Sequence, residues 1–278
     1  MPGATDPLPI VFLHYRNSTY LPFTLGQAKL WSMASPIFLI GDQTNNLFPY
    51  VTHVNMRDYS RQADEFRKVY RHMSPNGLPY ELFCFLRWFM LRDFMRAHGL
   101  ERLVHLDSDV LIYVDVNQEQ ANWRDYELSL VRGVCAGNMF VNGRRGIDGL
   151  CDVIWDLFAG PGSNQRLEAL YAERQKTQEG ISDMVPLKLY YDAHRDRVAE
   201  MTGLRPDGSY WDANIHLSEG FEMSDGRKLA RFVDHIPYCR HIETARDVRF
   251  NCLHFQGVAK KQIEPTFYAG APQSAQAA

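Results

Sequence analysis

The 278-residue chain carries 30 basic and 33 acidic side chains, so its net charge is −3 at pH 7 and its pI is near 6.4. A nucleic-acid-binding protein normally shows a basic excess, and this balance argues against one. The five cysteines are scattered without a C-x-x-C pair, which favours a reducing compartment over a disulfide framework. The N-terminal residues lack the pattern of a signal peptide, and no run of 18 apolar residues occurs. We therefore expect a cytoplasmic protein with no nucleic-acid partner and no integral membrane segment.

The first hundred residues alternate between apolar segments typical of strands and apolar segments typical of helices. Continuous apolar runs are typical of strands buried in a parallel sheet, so strand, helix and strand over residues 9–43 predict a βαβ unit. Gly99 follows the longest apolar helix and is expected to end it as a C-terminal cap. Residues 46–77 are polar and are expected to be partly helical. The predicted elements are strands at 9–15, 36–43 and 102–109, and helices at 22–32 and 79–98.

The rest of the chain predicts shorter elements. Two strands are expected around Gly137, within residues 128–142, and Ser163 is expected to be the N-cap of a helix. The C-terminal third, rich in Gly, Pro and aromatic residues, is expected to be irregular, and residues 269–278 to form a disordered tail. Helices are predicted at 146–158, 163–175 and 181–194. With no internal repeat or clear linker, the sequence predicts one α/β domain over residues 1–268.

Two acids stand at the end of the third predicted strand, in "LVHLDSDVLIY". Asp107 and Asp109 would lie at the C-terminal edge of the sheet, where ligands bind in open α/β folds. Hard divalent cations take carboxylate oxygens and leave coordination positions for substrate phosphates. A solvated turn is the alternative, but apolar residues flank the motif on both sides. We expect Asp107 and Asp109 to bind a metal.

A second motif, "HFQGVAK", spaces His254, Gly257 and Lys260 as H-x-x-G-x-x-K. A neutral imidazole beside carboxylates favours Mn²⁺ over Mg²⁺ as the bound cation. Gly257 lets the backbone approach a phosphate, and Lys260 supplies a point charge. Taken alone, these residues are better interpreted as a core-edge histidine, a turn glycine and a surface lysine.

The order of the two motifs resembles the GT-A fold nucleotide-sugar glycosyltransferases, most closely family 8, the glycogenin and bacterial galactosyltransferase group. The resemblance implies a Rossmann-like domain with a mostly parallel central sheet flanked by helices. It also implies that Asp107, Asp109 and His254 hold Mn²⁺ (or Mg²⁺) and that Lys260 contacts the departing diphosphate. The donor would be a UDP-sugar and the transfer of its hexose retaining, whereas the acceptor stays unidentified. The family's Pro-Trp after the lysine is missing here.

Further positions match the family's motifs in part. "CAGNMFVN" resembles a family strand in which Gly137 and Asn142 fit, with Cys135 in place of an asparagine. Arg87, on the helix before the acids, is similar to an arginine that reaches the sugar diphosphate. Asp183 resembles an aspartate that binds donor-sugar hydroxyls, although Met184 replaces the glutamine that follows it. The resemblance implies substrate contacts for Gly137, Asn142 and Arg87, and a catalytic role for Asp183.

Two polar–aromatic loops complete the candidate set. In "HYRNSTYL", Asn17 and Tyr20 match the family positions that hold uracil, although Tyr20 is equally well read as a core aromatic and Asn17 as a turn residue. In "SYWDANIHL", Trp211 and Asp212 are candidates for stacking on and bonding to a sugar ring, and a loop Trp that covers the core is the alternative.

Other functions account for fewer of these residues. A phosphatase of the haloacid-dehalogenase type also uses D-x-D, but its motif normally ends the first strand. Sugar nucleotidyltransferases and dinucleotide-binding dehydrogenases need glycine-rich loops that are absent here. A protein that binds a nucleotide sugar without turnover stays open as an alternative. The leading hypothesis is a metal-dependent glycosyltransferase.

Overall fold

A seven-stranded, mostly parallel sheet forms the centre of the computed structural model, which describes residues 6–270. In spatial order its strands are β3 (Thr52–Asn55), β2 (Ile37–Gly41), β1 (Ile10–Leu13), β4 (Leu103–Leu106), β7 (Asn138–Val141), β6 (Leu128–Leu130) and β8 (Val198–Glu200). Four neighbouring pairs are parallel, and only β7 runs antiparallel to its neighbours β4 and β6. The predicted α/β class and the predicted βαβ unit are confirmed.

Helices cover the sheet. They are α1 (Leu21–Trp31), α2 (Arg61–Val69), α3 (Leu78–Ala97), α4 (Val116–Glu119), α5 (Arg144–Ala159), α6 (Ser163–Gln175), α7 (Met184–Ala193) and α8 (Ile263–Gly270). Alternate strand residues serve opposite faces, as the period of two requires: Val11 and Leu103 pack in the cluster with α3 and α5, whereas Phe12 and Val104 pack in the cluster with α1. No helix formed by residues 6–270 combines the length and the apolar character needed to cross a membrane.

A second sheet replaces the irregular C-terminal third that the sequence predicts. Its strands are β12 (Ala230–Val233), β13 (Ile236–His241), β14 (Arg246–His254), β5 (Val110–Ile112) and β9 (Ser209–Trp211), with β9 parallel to β14. A small hairpin pairs β10 (Met223–Ser224) with β11 (Arg227–Lys228). The prediction was wrong because these strands are mostly short and alternate with turn residues, so that no long periodic run marks them.

Two predicted caps have different outcomes. Gly99 has φ +63°, and Leu100 donates its N–H to the Met95 carbonyl at 2.9 Å, so Gly99 ends α3 as predicted. Ser163 is not an N-cap, because Gly162 (φ +71°) takes that position and Ser163 is the first helical residue. Helix α8 extends through Gly270, two residues into the predicted tail, and residues 271–278 lie outside the described residues.

Candidate metal and nucleotide-sugar site

The turn Asp107–Ser108–Asp109 connects the two sheets. Strand β4 ends at Leu106 in the first sheet, and β5 begins at Val110 in the second. The Asp107 N–H donates to the Gly137 carbonyl at 2.7 Å, and the Phe255 N–H donates to the Asp109 carbonyl at 2.9 Å. The backbone of both acids is therefore fixed, at the edge of the sheet where the parallel strands end.

Strand pairing brings the second motif to the acids. Because β14 runs antiparallel to β5 with His254 opposite Val110, the imidazole lies beside Asp109. His254 Nε2 is 3.3 Å from Asp109 Oδ1 and 3.9 Å from Asp107 Oδ2. Gly257 has φ +59°, a conformation that favours glycine, and opens a 3-10 helix that carries Lys260. Lys260 Nζ is 3.2 Å from Asp109 Oδ2, so both motifs meet at one point.

The donor set fits a hard or borderline divalent cation. Ligand atoms of Asp107, Asp109 and His254 all lie within 4.8 Å of one another, close enough to converge on one ion. Two carboxylates with one imidazole suit Mn²⁺, and Mg²⁺ to a lesser degree. A Cβ at position 137 would lie only 2.5 Å from His254 Cε1, so glycine at that position leaves room for the imidazole. These residues fit a metal centre.

Charges around the acids favour their ionised forms. Burial opposes ionisation of Asp107, but the Arg87 guanidinium and His105 outweigh it, and the pKa of Asp107 lies well below its usual range. Burial likewise opposes ionisation of Asp109, and His254 and Lys260 lower its pKa. The pKa of His254 lies well above its usual value because Asp109 outweighs the effect of burial. A metal would take the position of this proton.

Arg87 links the metal ligands to Asp183. Its guanidinium bonds Asp107, and its other terminal nitrogen donates to Asp183 Oδ2 at 2.8 Å. The Trp88 indole N–H donates to the same Asp183 oxygen at 3.1 Å. Burial raises the pKa of Asp183 despite the nearby Arg87. Asp183 is therefore held rigidly against α3, on the wall of the same cleft as the acids.

Two cavities meet at the acids. The central cleft has a volume of about 640 Å³, and its walls include Arg87, Asp107, Asp109, Gly137, Asp183, His254, Gly257 and Lys260. The side cavity, of about 570 Å³, shares Asp107, Asp109 and Lys260 and is otherwise lined mainly by His14, Tyr15, Arg16, Tyr20 and Phe83. The charged residues therefore lie between a cavity lined by aromatic rings and a cleft lined by charged side chains.

Solved structures with the same architecture are glycosyltransferases. Mouse xyloside xylosyltransferase 1 aligns with 70% of this chain and 84% of its own at a TM-score of 0.50, with 9% identity. The WbbM bifunctional glycosyltransferase aligns with 99% of this chain at a TM-score of 0.51 and 11% identity, and this chain spans 52% of it. The chain has a GT-A glycosyltransferase fold. Neither a scan of family models nor a search of curated proteins found a match.

Tyr20 lies in one of the two cavities, whereas Asn17 lies on an exposed loop. Tyr20 lines the side cavity, with Lys260 Nζ 5.6 Å from its ring centroid. Asn17 is exposed on the preceding loop, where its side-chain oxygen accepts the Ser18 N–H at 2.9 Å. The uracil contacts of both residues stay predictions.

Three predicted substrate contacts lie away from this cleft. Asn142 follows the end of β7 that pairs with Leu103, the opposite end from Gly137, and donates to the Trp123 carbonyl at 2.8 Å. Trp211 is fully buried and packs edge-on against Phe140, so it cannot stack on a sugar. Asp212 is equally buried. The substrate contacts predicted for Asn142, Trp211 and Asp212 are therefore wrong.

Asp212 instead supports the candidate metal site from behind. Its Oδ2 accepts the His254 N–H at 2.9 Å, and its Oδ1 accepts from Lys228 Nζ at 2.7 Å. Lys228 is fully buried and also bonds Glu219 at 2.8 Å. This chain of contacts fixes the end of β14 that carries the imidazole.

Some residues that line the cleft were not predicted from the sequence. Tyr80 and Cys84 line both cavities together with Arg87. Their spacing of four and three residues places them on one face of α3, a signal that the sequence contains. Glu81 is almost fully buried and accepts from Ser74 at 2.7 Å. Its burial depends on contacts that are remote from any motif.

Proposed function

We propose that this chain is a metal-dependent glycosyltransferase that moves a hexose from a UDP-sugar to an acceptor hydroxyl with retention. The observation that carries the proposal is the meeting of Asp107, Asp109, His254 and Lys260 at the junction of the two cavities. The GT-A fold supports the reaction class. The single domain over residues 1–268 and the cytoplasmic compartment belong to the same proposal, the latter because all five cysteines are free.

In this proposal, Asp107, Asp109 and His254 would hold the cation. Bound Mn²⁺ or Mg²⁺ supplies Lewis-acid stabilisation of the UDP leaving group. The UDP diphosphate would lie beside the acids, with the base in the side cavity against Tyr20. Gly257 leaves room for the diphosphate, since nothing lies within 4 Å of the position its Cβ would take.

Lys260 and Asp183 take the two remaining roles. Burial lowers the pKa of Lys260, but Asp109 outweighs it and raises the pKa, so the ammonium stays charged. Its charge stabilises the negative charge that develops on the diphosphate as the glycosidic bond breaks. Asp183, held by Arg87 and Trp88, accepts hydrogen bonds from hydroxyls of the donor hexose and so orients the reacting carbon of the sugar.

A test of turnover separates the alternatives. The purified chain is incubated with Mn²⁺ and each of several UDP-hexoses, and UDP release is measured. We expect slow donor hydrolysis with at least one donor, lost in Asp109→Asn and kept in Asp225→Asn, a control whose side chain is 81% exposed. Binding of UDP without release from any donor would indicate the nucleotide-sugar-binding protein. Hydrolysis of simple phosphate esters in preference to UDP-sugars would indicate the phosphatase.

A further inference from the structure

The central cleft continues into a second groove on the side away from the side cavity. The middle groove, of about 690 Å³, shares Val134, Cys135, Met184, Asn214 and Gln256 with the central cleft. Asn214 donates to Gln256 at 2.8 Å, so these two side chains form a fixed element at the junction. An acceptor that leaves the central cleft in this direction enters the middle groove.

The middle groove leads in turn to an apolar groove. Leu170, Glu173 and Leu189 line both, and the apolar groove has a volume of about 580 Å³ between α5, α6 and α7. Five of its eight lining residues are apolar: Val153, Leu157, Ala169, Leu170 and Leu189. The surface therefore changes from charged at the acids to apolar at the far end.

Exposed apolar side chains mark this path. Met184 and Leu217, on the walls of the middle groove, are 40% and 37% exposed, and Leu189 is 39% exposed. Leaving such side chains in water is unfavourable, and a continuous exposed apolar surface marks a binding site. A ligand that covers them gains affinity from their burial.

Charges in the middle groove are already compensated. Three basic residues line it: Arg174 bonds Glu179 at 2.7 Å, Lys188 bonds Asp192, and Arg132 lies 3.8 Å from Glu219. Each of these cations has an acidic partner, so uncharged hydroxyl-bearing groups fit this section. The side cavity takes the nucleotide in the proposed function, which leaves the middle and apolar grooves for the acceptor.

We propose that the acceptor is an amphiphile: a sugar or other hydroxyl-bearing head joined to an alkyl or acyl chain. The head reaches the central cleft through the middle groove, and the chain lies on Leu170 and Leu189 in the apolar groove. As an acceptor assignment this rests on the proposed function, whereas recognition of the chain by the groove is independent of it.

Alkyl glycosides of increasing chain length test the inference. Methyl, octyl and dodecyl glycosides of glucose, galactose, xylose and N-acetylglucosamine are titrated calorimetrically below their micelle-forming concentrations, with UDP and Mn²⁺ present. We expect octyl and dodecyl glycosides of at least one sugar to bind about tenfold or more tightly than the methyl glycoside, since burial of two methylenes suffices for this factor. With a UDP-hexose as donor, the KM for the glycoside should fall in parallel.

Variants assign the effect to the groove. Leu170→Ser and Leu189→Ser should each reduce the advantage of the octyl chain several-fold without changing the affinity for UDP. Leu47→Ser is the matched control, because Leu47 is 61% exposed and does not line the central cleft, the middle groove or the apolar groove. Equal binding of methyl and octyl glycosides, no glycoside binding, or a chain-length effect unchanged in both groove variants would overturn the inference. UDP binding is recorded separately, so failure of the proposed function is distinguishable from failure of the groove.

Discussion

At the scale of single residues, His254 and Lys260 lie in different surroundings although both contact Asp109. His254 is buried and its imidazole has two carboxylates within 4 Å, whereas the Lys260 side chain is 29% exposed and reaches the junction of both cavities. The first geometry suits a metal ligand and the second a group that meets the diphosphate. Kinetics of single variants separate these roles.

Lys260→Ala is expected to lower kcat on the order of a hundredfold, because its contact strengthens as charge develops on the leaving group. Added Mn²⁺ should not restore the rate, and Lys261→Ala, a change of the exposed neighbour, should leave it unchanged. His254→Ala should instead raise the Mn²⁺ concentration needed for half-maximal rate. Initial rates over a Mn²⁺ series measure both. If Lys260→Ala altered only KM, the assignment of Lys260 would be wrong.

At the scale of elements, the small hairpin supports the imidazole through a buried ion pair between Lys228 on β11 and Asp212. Removing one member of such a pair leaves the other charge uncompensated. Lys228→Met should therefore lower the free energy of unfolding by about 3–5 kcal/mol and weaken Mn²⁺ binding, since Asp212 also holds the His254 N–H. Urea denaturation with Arg240→Met as the control tests this, because Arg240 pairs with Asp247 near the surface. A loss for Lys228→Met no larger than that of the control would contradict the account.

The sequence predicts the elements that carry long periodic signals and the motifs that lie on them. The acids and α3 were predictable because continuous apolar runs mark β4 and the helix. The second sheet was not, since β9 has three residues and is separated from its partner β14 by residues 212–245. Trp211 and Asp212 were misjudged for that reason: their burial depends on this long-range pairing, which no local pattern shows.

At the scale of the whole molecule, the site makes stability depend on pH through His14. Burial, and secondarily Lys260, lowers the pKa of His14 from 6.5 to about 4, while its ring bonds Ser108 at 2.8 Å. The unfolded chain therefore binds this proton more readily than the folded one between pH 6.5 and 4. Above pH 6.5 His14 is neutral in both states and does not lower the free energy of unfolding. As the pH falls toward 4, its protonation in the unfolded chain lowers this free energy.

His14→Gln should flatten this acid limb, by an amount on the order of 3 kcal/mol at about 1.4 kcal/mol per pKa unit. The free energy of unfolding is measured by urea titration at intervals from pH 7 to pH 4. His53→Gln is the control, since His53 is only partly buried. A slope that His14→Gln leaves intact would show that His14 is protonated equally in both states.

In the proposed function, two acids and one imidazole, brought together from two sheets, bind a cation for a UDP-sugar. Calorimetric titration of UDP into the wild type and Asp109→Asn, each with and without Mn²⁺, tests it most directly. We predict that the wild type binds UDP strongly only with Mn²⁺ and that Asp109→Asn weakens this binding by at least about tenfold, since even the loss of a residue that supports a metal ligand typically costs this much. Its melting temperature without metal should stay close to that of the wild type. Equal affinity of the two proteins for UDP in Mn²⁺, or wild-type binding that is indifferent to the metal, would contradict the account.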